Sequence, residues 1–481
     1  MRHLIFACFL ILFVQFSYAA SSGIEGYIES GELIFYAPSI EELIATTRSL
    51  MKRFYSRNYE QMILQVSADS KSSYGIDVLD LNTLEKIGLN TKAPLSFVHI
   101  SNNTGYLLLP VRNKKGIEKF IKNNLENKVP YRFFDNYVAF SEDKKLLNNI
   151  GKNLLGNNKG FALSRKKLNF DWDKFFVWIE SSYLSGISSS IGVTSNIKLP
   201  YGFSAFAINF KPQNISIKLY SAIISSNQLL YMQSLKNVSA SEKFDILDYV
   251  EGNPALVGNV YLNMPMLYKY FSYIDSINIL GIKGLFNELK QKYKVNVEND
   301  LINNSDGRLK IVIDRYDSVQ NQYRIYGSIG VKDPNTAGMF VESLKNAFFQ
   351  VDGKLYSFDL FTKPFYHYKG SNYSIYYGVI ENDLLFSTDK DLLTNLVVSV
   401  FENRGGRLEK MPDFFKNAIR EKSKGYFLTI DLQSLFNNVK TGIQIDREFL
   451  IGVQNVYIYG FPDTEENAYG WNNFVDINFY P

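Results

Sequence analysis

The sequence predicts an α+β protein: two tandem copies of an antiparallel sheet module with helices packed on it, after an N-terminal signal peptide. Three observations lead there. An apolar run opens the chain, a ten-residue phrase occurs in it twice, and strand-like and helix-like segments follow the same order around both occurrences.

The first element is the leader. Met1-Arg2-His3 precedes an apolar stretch from Leu4 to Phe16, and Ser17-Tyr18-Ala19-Ala20 follows. A basic start, an apolar run shorter than the roughly 20 residues that cross a bilayer, and small residues at a cleavage position are the three parts of a secretory signal peptide. Residues 1–19 are therefore expected to be removed, with the mature protein beginning at Ala20 or Ser21 and residing in the periplasm or at the cell surface. Cys8, the one cysteine of the 481 residues, lies inside this run. The mature chain is then cysteine-free, and its stability must come from the burial of its 46% hydrophobic residues. No later apolar stretch reaches spanning length, so no transmembrane segment is expected after cleavage. A formal net charge of +4, with basic and acidic residues interspersed, does not describe a nucleic-acid partner.

The second element is the repeat. Phe140-Ser141-Glu142-Asp143-Lys144-Lys145-Leu146-Leu147-Asn148-Asn149 returns as Phe386-Ser387-Thr388-Asp389-Lys390-Asp391-Leu392-Leu393-Thr394-Asn395. Self-similarity of this kind is the mark of a duplicated unit. The flanks align in the same order. Tyr106 to Val111 matches Tyr326 to Val331, and Leu95 to Ile100 matches Leu309 to Asp314. Leu33 to Tyr36 matches Val260 to Leu262, and Phe176 to Glu180 matches Phe427 to Asp431. Each copy reads as strand, helix, variable region, two strands, helix, hairpin, helix and three further strands. This mixed order argues for an antiparallel sheet with helices on one face, not for alternating βαβ units. The copies run from 31 to 235 and from 253 to 481, with 236–252 as the joint.

Chemistry is sought first in the repeated phrase. Ser141 with Lys144, and Ser387 with Lys390, satisfy the Ser-x-x-Lys spacing in which a serine attacks an acyl carbon and a lysine one helical turn later takes its proton. Lys440-Thr441-Gly442 adds a Lys-Thr-Gly. Against an acyl-hydrolase, Ser387 and Lys440 leave no room for the intervening domain of such enzymes, and no Ser-x-Asn element stands between them. A structural reading accounts for more: Phe140 and Phe386 end strands, Ser141 and Ser387 cap the next helix, and Asp143 and Asp389 favour its positive end. Leu147 and Leu393 then face the core.

Histidine is scarce. His3 leaves with the leader, and His99 and His367 have no counterpart in the other copy, so no cofactor or transition-metal site is expected. Asp300 to Asp306 has oxygen ligands, but Arg308 and Lys310 stand where a calcium loop needs its glutamate, so it reads as a surface turn. The 15% aromatic content suits an outer-membrane barrel as well as a packed core. Ile117, Phe120, Ile121 and Leu125, spaced for one face of an amphipathic helix, weigh against the barrel.

Gly75-Ile76-Asp77-Val78-Leu79-Asp80, Leu84-Glu85-Lys86-Ile87-Gly88-Leu89 and Ala93-Pro94-Leu95-Ser96-Phe97 form a Gly-Ile-Asp start, a short helix and a phrase ending in an apolar strand. In this the chain resembles exported bacterial proteins of unknown function with a duplicated α+β module. The resemblance implies no catalytic residue. The expectation is an exported, non-catalytic binding or scaffolding protein whose partner is another protein or an apolar ligand. A carrier of lipid and a serine acyl-hydrolase are the alternatives.

Overall fold

The structure, a computed structural model, describes residues 24–54, 58–101, 104–125, 129–183, 202–223, 247, 254–261, 263–273, 282–317, 322–348, 353–371, 373–402, 426–436, 452–463 and 469–480. The expected leader, 1–19, lies outside them, as does the expected joint, 236–252, apart from Leu247.

Helices and one large antiparallel sheet make this an α+β protein. The first half supplies β1 (Leu33–Ala37), β2 (Leu95–Ser101), β3 (Thr104–Pro110), β4 (Tyr131–Phe134), β5 (Tyr137–Phe140), β6 (Phe175–Glu180), β7 (Gly202–Lys211) and β8 (Asn214–Ile223). Its helices are α1 (Ile40–Phe54), α2 (Tyr59–Tyr74), α3 (Leu81–Lys86), α4 (Lys114–Phe120), α5 (Lys144–Asn149) and α6 (Lys159–Leu168). The second half supplies β9 (Leu256–Tyr261), β10 (Ser305–Asp317), β11 (Gln322–Val331), β12 (Gly353–Leu360), β13 (Lys363–Gly370), β14 (Ser374–Ile380), β15 (Asp383–Ser387), β16 (Tyr426–Ile430), β17 (Val453–Asp463) and β18 (Tyr469–Phe479). With them come α7 (Met264–Tyr273), α8 (Ile282–Tyr293), α9 (Pro334–Phe348), α10 (Lys390–Phe401) and α11 (Leu432–Phe436).

The pairings string the strands in the order β4-β5-β3-β2-β1-β6-β7-β8 in the first half. The second half reads β12-β13-β14-β15-β11-β10-β9-β16-β17-β18. Strand β8 pairs with β18, so the two rows make one sheet of 18 strands among the described residues. The two rows follow the same order except for the hairpin β12–β13. That hairpin is an addition the sequence reading missed: the interval from Val331 to Ser387 is much longer than that from Val111 to Ser141, and the surplus is this pair of strands.

Crossing the ladders, Val98, Ile34, Trp178, Ala205 and Tyr220 are successive partners in the first half. Val312, Val257, Thr429, Tyr457 and Asp476 are successive partners in the second. Two residues before Tyr220 and Asp476 stand Lys218 and Phe474, which are paired with each other. An approximate two-fold axis through the sheet therefore passes between them. The same registers correct one alignment. Leu33–Ala37 corresponds to Leu256–Val260, not to a segment starting at Val260. The slip is of four residues, and an even slip preserves the in-out pattern of a strand, so apolar periodicity alone cannot detect it.

Helices cover both faces of the first half, where one covered face was expected. On β1, Ile34 and Tyr36 join a core with Leu147 of α5 and Phe161 of α6. Leu33, Phe35 and Ala37 join another with Leu43 and Ile44 of α1, Leu84 of α3 and Ile117 of α4. Strands buried on both sides read as continuous apolar runs, which is what Leu33-Ile34-Phe35-Tyr36-Ala37 is. The second core also takes in Val453 and Phe479 of the other half, and the guanidinium of Arg53 lies 4.3 Å from the Phe479 ring. Lys167 and Asp463 form a largely buried ion pair across the same boundary, 2.8 Å apart.

Candidate functional site

The repeated phrase occupies matching places. In the first half Phe140 ends β5, and Ser141 is 4% exposed. Its Oγ donates to the Gly105 carbonyl at 2.7 Å and accepts from the Asp143 N–H at 3.1 Å. Asp143 is extended and accepts from the Lys145 N–H at 2.7 Å, and α5 begins at Lys144. In the second half Ser387 follows Phe386 at the end of β15 and is 1% exposed. Its Oγ donates to the Ile325 carbonyl and accepts from the Asp389 N–H, each at 3.0 Å. Asp389 accepts from the N–H groups of Asp391 and Leu392, and α10 begins at Lys390. Leu147 packs with Val98, Tyr106 and Ala139, and Leu393 with Val312, Tyr326 and Leu385.

The cap is thus the aspartate, not the serine. The helix starts after Asp143 and Asp389, whose short carboxylates reach the free N–H groups of the first turn. The serine stands two residues earlier and ties the cap to the strand beside it, through Gly105 of β3 or Ile325 of β11. Each hydroxyl thereby gives its proton to a main-chain carbonyl and accepts a main-chain N–H. Lys390 extends its Nζ over the Phe358 ring, 5.1 Å from the centroid. Lys144 borders a shallow cleft of about 370 Å³ with Pro130, Tyr131, Arg132 and Leu147. Lys440-Thr441-Gly442 lies outside the described residues.

His99 approaches Glu32, Nε2 to Oε2 at 3.7 Å, and burial holds its pKa below the usual imidazole value despite that carboxylate. His367 is also lowered, by burial and then by Lys369 and Lys390. Among the described residues, no group of three or more His, Cys, Asp or Glu could hold a metal ion. Asp300–Asp306 is more than a surface turn. Asp300 lies in a π-helical turn, Val297–Ile302, and Asp306 in β10. Asp306 pairs at 2.7 Å with the buried Arg308, which also reaches Asp383 at 3.3 Å.

A second cleft, of about 500 Å³, opens where the halves meet, between Lys211, Gln213 and Asn214 on one side and Gln454, Asn478 and Phe479 on the other. Polar side chains border it, together with Pro212, but the surface it exposes is more apolar than polar. No helix among the described residues is long and apolar enough to cross a membrane. Sequence reasoning missed Glu29, a buried carboxylate that accepts from the N–H groups of Gly151, Lys152 and Asn153. Its partners lie more than a hundred residues away, so no local pattern announces it.

Fold and site together define a class no narrower than an α+β protein built on a long antiparallel sheet. No protein-family model and no curated protein matches the chain. One solved structure, titled "Structure of crystal form I of TP0453", is similar to it with a TM-score of 0.23 and 9% identity, covering 44% of this chain and 81% of that one.

Proposed function

We propose that this is an exported, non-catalytic binding or scaffolding protein of the periplasm or cell surface, built by tandem duplication of one α+β module and related to exported bacterial proteins of unknown function. One observation carries the non-catalytic part. Both Ser-x-x-Lys serines are buried, with the hydroxyl engaged by a strand carbonyl and a helix-cap N–H. A nucleophile needs its oxygen exposed to an acyl carbon and its proton on a base. The duplication is supported by the shared strand order and by the matching partners of Ser141 and Ser387. The cleft between the halves opens widely to solvent and is not an enclosed apolar cavity, which favours contact with a protein over carriage of a lipid.

Incubation with a fluorescent β-lactam and a fluorophosphonate tests the reading. No covalent label is expected on either serine, and capture at Ser141 or Ser387 overturns it. Export is tested separately by N-terminal sequencing of protein from its own host, which is expected to begin at Ala20 or Ser21. An intact Met1 in soluble cytosolic protein refutes export.

A further inference from the structure

The sheet has two ends among the described residues, and they differ. Strand β4 has four residues and follows Pro130, and shortness and proline are features by which an edge is kept from pairing. Strand β12 has eight residues, Gly353–Leu360, with no proline, and among the described residues it pairs only with β13. Its turn, Phe361-Thr362, has positive φ at both residues, +48° and +65°, the two-residue hairpin loop that matches strand twist. Such a loop is closed by a hydrogen-bonded pair, here Leu360 with Lys363, and the alternation of an antiparallel ladder then turns Lys354, Tyr356 and Phe358 toward β13. The N–H and C=O groups of Gly353, Leu355, Ser357 and Asp359 consequently face outward.

An aromatic row runs to this edge. The rings of Tyr376 and His367 stack at 4.1 Å and 12°, and those of His367 and Tyr356 at 5.6 Å and 27°. Tyr356 is 47% exposed, so the row ends at the edge with one ring face uncovered.

We propose that β12 pairs antiparallel with β12 of a second copy of this chain, about a two-fold axis at Tyr356. In that register the outward groups of Leu355 and Ser357 bond across the axis, and those of Gly353 and Asp359 bond in turn. Tyr356 stacks on its own copy, making one row of six rings. Lys354 comes opposite Phe358, repeating the lysine–phenylalanine pair that Lys218 and Phe474 make at the approximate two-fold axis within the chain. No like charges are opposed. A strand pair of this length is a small interface, at the weak end for protein association, and the dimer forms at micromolar concentrations. This inference does not depend on the absence of catalysis, and the tests above leave it untouched.

Sedimentation velocity on the full chain is expected to show monomer at low and dimer at high micromolar concentration. Ser357→Pro removes an outward N–H while sparing every bond to β13, and it abolishes the dimer with the circular dichroism spectrum unchanged. Should that variant misfold, a cysteine reporter reads the register, since Cys8 is the only native thiol. In a Cys8→Ser background, Tyr356→Cys forms a disulfide-linked dimer on mild oxidation and Ser357→Cys, facing the other side of the sheet, does not. A chain that stays monomeric throughout, a dimer untouched by Ser357→Pro, or equal cross-linking at the two positions overturns the proposal.

Discussion

Replacing Ser387 with alanine takes away one oxygen that joins β11, β15 and the cap of α10. The residue is almost wholly buried, so the Asp389 N–H loses a partner that water cannot easily replace, while the Ile325 carbonyl keeps the Thr388 N–H at 2.8 Å. An unsatisfied buried polar group costs about 1–3 kcal/mol, and partial recovery by the neighbouring ladder places the expected loss near 2. Asp389→Ala removes the cap bonds to Asp391 and Leu392 and the 2.9 Å contact with Arg324, for roughly 2 kcal/mol. Asp143→Ala removes a cap alone, for about 1. Truncating Leu393, fully buried among Val312, Tyr326 and Leu385, is expected to cost about 4 kcal/mol, and truncating Leu147 about 2–3, because Leu147 borders an open cleft that water can enter. Urea denaturation of the five variants, followed by circular dichroism and by tryptophan fluorescence, gives the order. If Ser387→Ala leaves stability unchanged or raises it, the hydroxyl is not a structural bridge and the case against a nucleophile weakens with it.

Further outcomes follow from other sites. Burial, then Glu41, pushes the Glu42 carboxyl up to about 7 from an ordinary 4.5, and its Oε2 has no hydrogen-bond partner among the described residues. A raised acid favours the folded state while protonated. That contribution is full below pH 4.5 and is lost as pH rises toward 7, so thermal melts across this window should fall in the native chain and flatten in Glu42→Gln. Because Glu42 is only half buried, solvent screening limits the change to roughly 1 kcal/mol. Thr362 holds φ at +65° despite its branched Cβ, and Thr362→Gly should stabilise the protein by about 1 kcal/mol, read as a higher denaturation midpoint. Lys167→Ala leaves the largely buried Asp463 carboxylate without its 2.8 Å partner; a loss of roughly 2–4 kcal/mol, with faster amide exchange in β8 and β18, would show that the ion pair holds the halves together.

Much of the architecture was legible because it is local. The run Leu33–Ala37, the tyrosine that opens the buried stretch of β3 and β11, and the Phe-Ser-x-Asp-Lys phrase each carry their element in their own residues. What the sequence hid is set by pairing across distance. The four-residue slip in matching β1 with β9 keeps every side chain on its proper face, so only the ladder reveals it. The cap passed from serine to aspartate because both residues are good caps two positions apart, and the choice depends on Gly105 and Ile325, which lie on other strands. The hairpin β12–β13 showed only as extra length. At the candidate site, the spacing of Ser141 with Lys144 and of Ser387 with Lys390 was visible, whereas the strand carbonyls that occupy the hydroxyls were not.

The place of β18 sets the order in which the molecule can be finished. Asn214 of β8 hydrogen-bonds Asn478 of β18 at 2.8 Å across 264 residues of chain. A ribosome delivers β8 long before β18, so the first half must wait with a ten-residue edge unpaired, Asn214–Ile223, carrying isoleucine at 215, 217 and 223. An open edge of that length invites pairing with other chains, and the longer the wait the greater the exposure. The closing step comes last: β18 enters between β17 and β8 and seals the middle of the sheet, not its rim. A chain stopped before Tyr469 would keep both β8 and β17 unsealed, so newly made protein is expected to aggregate chiefly through the centre of its finished form.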